Sequence, residues 1–208
     1  MNKRLAILPM MLAAFGCSTV SSTDDIPVVK GFDAARYMGV WHEIARLPKW
    51  FERDLENVTA TYALEDGTLK ITNRGWRNGE EKVSTAVGHF AGAADEGAFR
   101  VSFFRPFYGD YRIIWLSPDY DLALVAGEDR SSLWILSRYK GLSAERRTKL
   151  VQMASDWGFD VSKLEYPKLP ENAPPPPCAG RRNFAIIRTS MPKNGVDAAE
   201  NRDRQQTK

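Results

Sequence analysis

The chain is expected to be all-β: an eight-stranded antiparallel up-and-down barrel with one C-terminal α-helix packed outside. Three observations predict this. Short segments that alternate apolar and polar residues recur from about residue 39 to 138, which is the period of a half-buried strand. Turn residues separate them at regular spacing, and eight short strands joined by tight turns argue for a closed barrel. After residue 143 the apolar spacing switches to three and four, the period of a helix.

Taken in order, residues 1–16 read as a signal peptide. Lys3 and Arg4 form its charged start, and Leu5 to Phe15 an apolar run too short for a permanent membrane span. Ser18 to Pro27 is polar and small, with Asp24 and Asp25, and residues 17–29 read as a flexible tether. The folded part is expected over 30–167. It enters through Phe32-Asp33 and a sharp bend at Gly39, where a side chain would obstruct close approach. In the first strand Trp41, Glu43, Ala45 and Leu47 fall on one side, and His42, Ile44 and Arg46 on the other. A connection from Pro48 to Glu56 carries two aromatics, Trp50 and Phe51. The remaining strands are read at Asn57–Glu65, Thr68–Trp76, Lys82–Gly92, Ala98–Phe104, Tyr111–Leu116, Leu122–Gly127 and Ser132–Arg138. Turn pairs such as Asp66-Gly67, Asn78-Gly79 and Pro118-Asp119 separate them. Ser143 is placed to cap a helix whose apolar face is Leu150, Val151, Ala154 and Trp157, with Gly158 as its stop. Leu164-Glu165-Tyr166 suits a short strand beside the first one. Residues 168–208 form a Pro-rich tail, Pro174 to Pro177 at its centre, with eight basic and four acidic residues. No fixed fold is expected there.

Side-chain parity says what the barrel encloses. The inward set is apolar or aromatic: Val58, Ala60 and Tyr62; Ile71 and Asn73; Ala86, Gly88 and Phe90; Phe99, Val101 and Phe103. It continues with Tyr111, Ile113 and Trp115, then Leu122, Leu124 and Ala126, then Trp134 and Leu136. The outward set holds Thr59, Thr61, Lys70, Thr72, Arg100, Ser102 and Arg112. Small inward residues alternate with large ones, which leaves volume for a guest at a strand number near the filled–hollow boundary. Candidate ligand-binding residues are therefore Ala60, Tyr62, Ile71, Asn73, Ala86, Phe90, Phe99, Val101, Phe103, Tyr111, Ile113, Trp115, Leu124 and Trp134. Trp50, Phe51, Arg105, Phe107 and Tyr108 are expected at the mouth, Arg105 to attract a phosphate or carboxylate.

Three segments carry a family resemblance: the Gly39-Val40-Trp41 strand start, the Asp119-Tyr120 turn, and the strand ending in Arg138. With these motifs in order, the chain from about Val29 to Tyr166 resembles the lipocalins, and among them the bacterial outer-membrane lipoproteins. The resemblance implies a barrel sealed at one end by Gly39, Trp41, Asp119, Tyr120 and Arg138, with the Arg138 guanidinium stacked on the Trp41 indole. It implies a hydrophobic small-molecule ligand, such as a fatty acid or lysophospholipid. Ala14-Phe15-Gly16-Cys17 resembles a lipobox, so Cys17 is the expected point of lipid attachment, and Ser18 after it implies sorting to the outer membrane, facing the periplasm.

Other classes find less support. No apolar run reaches spanning length, and no repeat or phosphate-cradling glycine loop is present; no nucleic-acid partner is expected. The two cysteines, Cys17 and Cys178, both lie outside the barrel, so no disulfide staples it. No catalytic residue, metal ligand set or cofactor is expected: His42 and His89 have outward parity, and no Cys/His spacing fits zinc. Glu43, inward on the first strand, leaves open an enzyme acting on a lipid or isoprenoid with Tyr62. A ligand-free scaffold and a homodimer also remain open.

Overall fold

The computed structural model describes residues 20–168. The expected signal peptide, Cys17, and all of the tail beyond Lys168 lie outside the described residues. Eight antiparallel strands close into a barrel in chain order, with the last pairing the first. They are β1 (Gly39–Arg46), β2 (Glu56–Glu65), β3 (Thr68–Arg77), β4 (Glu80–Phe90), β5 (Ala98–Phe104), β6 (Phe107–Leu116), β7 (Leu122–Ala126) and β8 (Leu133–Ser137). A one-turn helix α1 (Ala34–Tyr37) precedes β1, and α2 (Ala144–Asp156) follows β8. The fold class is the expected one.

Local chemistry explains the joints. Asp66-Gly67 and Asn78-Gly79 hold positive φ at both positions, +49° and +75°, then +53° and +79°. That is the two-residue turn whose twist matches the flanking strands. Gly39 has φ +95°, and a Cβ there would sit 3.3 Å from Arg138 Nη1. The bend thus needs glycine both for its backbone and for its neighbour. Asp33 Oδ1 accepts from the Ala35 and Arg36 amides and starts α1.

Of the four register shifts in the sheet, those in β1 and β6 change which residues face inward. In β1 the register against β8 shifts between Glu43 and Ala45. Ile44 is the extra residue, so Arg46 turns to the inner face opposite Trp134, while Ala45 turns outward opposite Ile135. In β6 the register against β7 shifts between Ile113 and Trp115. Ile113 pairs with Val125 inside, whereas Trp115 pairs with Leu124 outside. Ala123 and Val125, not Leu122, Leu124 and Ala126, belong to the inner core. The expectation that Trp115 and Leu124 line the interior is corrected: the insertion turns Trp115 outward, and β7 has the opposite parity to the one expected.

The outer face of β7 and β8 is also dry: Leu122, Leu124, Leu133 and Ile135 are fully buried. Helix α2 covers it with Leu150 and Ala154, its two buried side chains. Ser143 Oγ accepts from the Arg146 amide at its start, and Gly158 stops it at φ +80°. Arg146 pairs with Asp121 at 3.2 Å at one end of α2, and Arg130 Nε donates to the Trp157 carbonyl at 2.7 Å at the other. Glu165 then makes a single antiparallel bridge to Arg46 where a short strand was expected.

The segment read as a flexible tether is instead bonded to the wall from Ser21 on. Thr23, fully buried, donates from Oγ1 to the Gly127 carbonyl at 2.6 Å. The Val29 amide donates to Ile113 O at 2.9 Å.

Candidate functional site

The barrel has a packed floor, an apolar wall and an aromatic rim. At the floor, Arg138 stacks over Trp41 with its guanidinium carbon 4.0 Å from the ring centroid. Its nitrogens also donate to the carbonyls of Arg36, Tyr37, Met38, Val40 and Tyr120 at 2.8–3.3 Å. Trp41 Nε1 donates to Tyr37 O at 2.8 Å. Tyr120 accepts the Asp33 amide on its hydroxyl, and Arg36 lies 4.0 Å over its ring. Asp119 is exposed. The acid that ties this turn is Asp121, which accepts from Ser117 Oγ at 2.6 Å and pairs with Arg146.

Above the seal, Phe32, Tyr37, Tyr62, Phe90, Phe99 and Tyr111 make a continuous aromatic layer, with ring centroids 4.8–6.2 Å apart. Three phenols run through it in a chain. Tyr37 and Tyr111 hydroxyls are 2.7 Å apart, and Tyr111 donates to Tyr62 at 2.8 Å. Burial pushes all three phenols well up, so they stay neutral donors and acceptors. Phe90, Phe99 and Tyr111, expected as wall, therefore form the base on which a guest would rest.

The wall proper combines Ala60, Ile71, Asn73, Ala86, Val101, Ile113 and Trp134, all on the inner face by register or core membership. Ala60, Asn73 and Trp134 remain partly solvated although their strands are paired on both sides. Asn73 Oδ1 is buried with no hydrogen-bond partner among the described residues. An unsatisfied acceptor of this kind costs about 1–3 kcal/mol, which a guest's donor could recover.

A buried charged cluster lies on the same inner face at the top of β1. The Ile44 bulge brings Arg46 in, 2% exposed, where it donates to Glu43 Oε1 and to the Glu52 carbonyl, both at 2.6 Å. Glu165 adds a contact at 3.2 Å. Trp134 Nε1 donates to Glu52 Oε2 at 3.2 Å. Burial, then the Glu52 charge, pushes the Glu43 carboxyl up to about 8 against the pull of Arg46. Burial also raises Glu52. Sequence parity found Glu43 but placed Arg46 outside, and nothing in the spacing marked Glu52.

The connections β1–β2, β3–β4, β5–β6 and β7–β8 ring the end opposite the seal. Trp50 is 84% exposed there, Phe104 81% and Phe107 79%. Phe51 and Phe103 are exposed to about half that extent, at 47% and 43%. Arg105 is exposed between Phe104 and Phe107. Tyr108 is not part of this rim: its ring meets His89 at 5.1 Å, and His89 pairs with Arg100 on the outer face. His42 also faces outward, opposite Ser137, and burial lowers its pKa. Among the described residues no group of His, Cys, Asp and Glu is arranged to hold a metal.

A family model described as a lipocalin-like domain matches residues 32–169. Outer membrane lipoprotein Blc of Escherichia coli K12 is 43% identical over 175 residues, spanning 80% of this chain and 99% of that protein. Temperature-induced lipocalin-1 of Arabidopsis thaliana is 37% identical over 162 residues, spanning 73% of this chain and 86% of its own. Among solved structures, insecticyanin from the tobacco hornworm Manduca sexta matches with a TM-score of 0.59 at 21% identity. That match covers 71% of this chain and 86% of insecticyanin, a likeness of fold.

Proposed function

The chain belongs to the lipocalin family, and on that premise we propose that it binds a fatty acid, lysophospholipid or similar amphiphile in its lumen. It stores or carries that lipid for membrane maintenance. It is an outer-membrane lipoprotein, in keeping with the names of its E. coli and Citrobacter freundii relatives, and Cys17 is the anchor. Family and fold are typical of ligand-binding carriers rather than enzymes.

The observation that carries the reading is the solvated inner wall above an aromatic floor. Ala60, Asn73 and Trp134 on the inner face each keep part of their surface exposed, and their inward neighbours Ile71, Ala86 and Val101 are apolar. Burial of a methylene contributes about 0.8 kcal/mol, so an acyl chain needs few polar contacts. A headgroup would come to lie near the mouth, by Arg105. What weighs against the enzyme reading is that Glu43 is bonded to Arg46, and Tyr62 to Tyr111.

A fluorescent fatty acid titrated into the Cys17→Ser mature chain tests this, with Trp134→Arg as the comparison. Saturable one-to-one binding is expected, weakened at least tenfold by a charge on the inner wall. No saturable binding to the parent chain overturns the proposal.

A further inference from the structure

We infer that the amino-terminal strap fixes the mouth of the barrel against the bilayer that holds its anchor. The inference rests on the outer-membrane lipoprotein reading above and adds to it the orientation of the binding site.

The strap can be followed bond by bond. Lys30 pairs with Glu96 in the β4–β5 connection, at the sealed end. Val29 accepts the Gly97 amide at 2.9 Å. Arg112 Nη2 donates to Ile26 O at 2.9 Å, and Ile26 is 2% exposed. Thr23 bonds Gly127 and Glu128 at the end of β7. The path finishes on the β7–β8 connection, which belongs to the mouth.

Arg130 in that connection works as a buckle. Its amide donates to Ser21 O at 3.0 Å, Nη1 donates to Ser22 O, and Nη2 pairs with Asp25 at 2.6 Å. Nε reaches back to the C-terminal end of α2 at Trp157. The Arg130 side chain is 14% exposed and its bond to the Trp157 carbonyl is partly buried, whereas its bonds to Ser22 and Asp25 lie at the surface. One residue thereby ties strap, barrel and helix together at the open end.

Chain length does the rest. Only Ser18 and Thr19 separate Cys17 from Val20. Three residue steps reach about 11 Å at full extension. A lipid on Cys17 therefore enters its membrane within that distance of Val20, next to the Ser21 that Arg130 holds on the β7–β8 connection, and the strap cannot carry it to the sealed end. The same end bears Trp50, Phe104 and Phe107, each about four-fifths exposed, with Arg105 beside them to meet phosphate. Aromatic side chains of this kind settle at a membrane–water interface. Anchor position and rim chemistry are independent, and both direct the mouth to lipid. The ligand would then pass between bilayer and lumen without crossing the periplasm.

The test uses the full mature chain with Cys178→Ser and native lipidation, checked by intact mass. An environment-sensitive fluorophore is placed at Phe107→Cys on the rim or at Glu65→Cys by the sealed end. Vesicles of phosphatidylethanolamine and phosphatidylglycerol carry a lipid-borne quencher. The rim label is expected to be quenched at least threefold more than the Glu65 label. Equal quenching, stronger quenching at Glu65, or an intact mass without acyl chains overturns the inference. Opening the buckle with Arg130→Ala and Thr23→Val should at least halve the contrast. A twenty-residue Gly-Ser insertion between Thr19 and Val20, which leaves the barrel untouched, should do the same. Full contrast in both overturns the role of the strap. Fatty-acid binding to the Cys17→Ser chain with no contrast on vesicles removes the orientation alone, whereas contrast without binding supports the orientation and removes the carrier.

Discussion

Ala60→Phe separates a hollow barrel from a filled one. Ala60 faces inward between Trp41 and Asn73 and is partly solvated. If the space above the floor is empty, a phenyl ring enters it without displacing protein atoms. Folding stability should then change by less than about 1 kcal/mol, because strain from overpacking, typically about 1–3 kcal/mol, does not arise. The ring would take the place of three or four acyl carbons. At about 0.8 kcal/mol for each, affinity should fall by about 3 kcal/mol, roughly 100-fold in Kd. Urea unfolding and fluorescent fatty-acid titration on the same preparation read the two quantities. A loss of 2 kcal/mol or more in stability with unchanged affinity would show that Ala60 faces packed protein, and the lumen argument would fail.

Two further outcomes follow from the seal and the buried cluster. Arg138→Met removes a stacked cation and leaves five carbonyls to water. The loss should be about 3 kcal/mol, a fall in Tm of about 6–12 °C, read by thermal unfolding; a fall under 2 °C contradicts the seal. Glu43 has a folded pKa of about 8 against an ordinary 4.5. The folded state thus binds the extra proton between these values, so the contribution is fully present below pH 4.5 and is lost as pH rises toward 8. Urea unfolding at pH 5 and pH 8 should show that slope in the parent chain and a flatter one in Glu43→Gln; identical slopes refute the assignment.

Most of the barrel was legible because its strands bury one face only. β2 to β5 alternate between the register shifts near Glu56 and Phe104, so Ala60, Ile71, Ala86 and Val101 could be placed from the sequence. β7 could not: Leu122 to Ala126 are apolar at every position because α2 covers the outer face while the lumen lies behind the inner one. Alternation carries no information where both faces are dry. The bulges at Ile44 and Ile114 were invisible for a related reason. One inserted residue leaves composition unchanged and reverses every face beyond it in its strand, which displaced Trp115 and Arg46. The strap looked like a tether because its partners, Arg112 and Arg130, lie about a hundred residues away in the chain. Such pairings leave no local periodicity.

The central claim is that the barrel holds one lipid in an open lumen. Native mass spectrometry of the gently extracted protein tests it most directly. A single amphiphile of acyl-chain mass bound to each chain, displaced stoichiometrically by added lysophospholipid and absent from Ala60→Phe, is the predicted result. A bare chain that stays bare when lysophospholipid is added contradicts it.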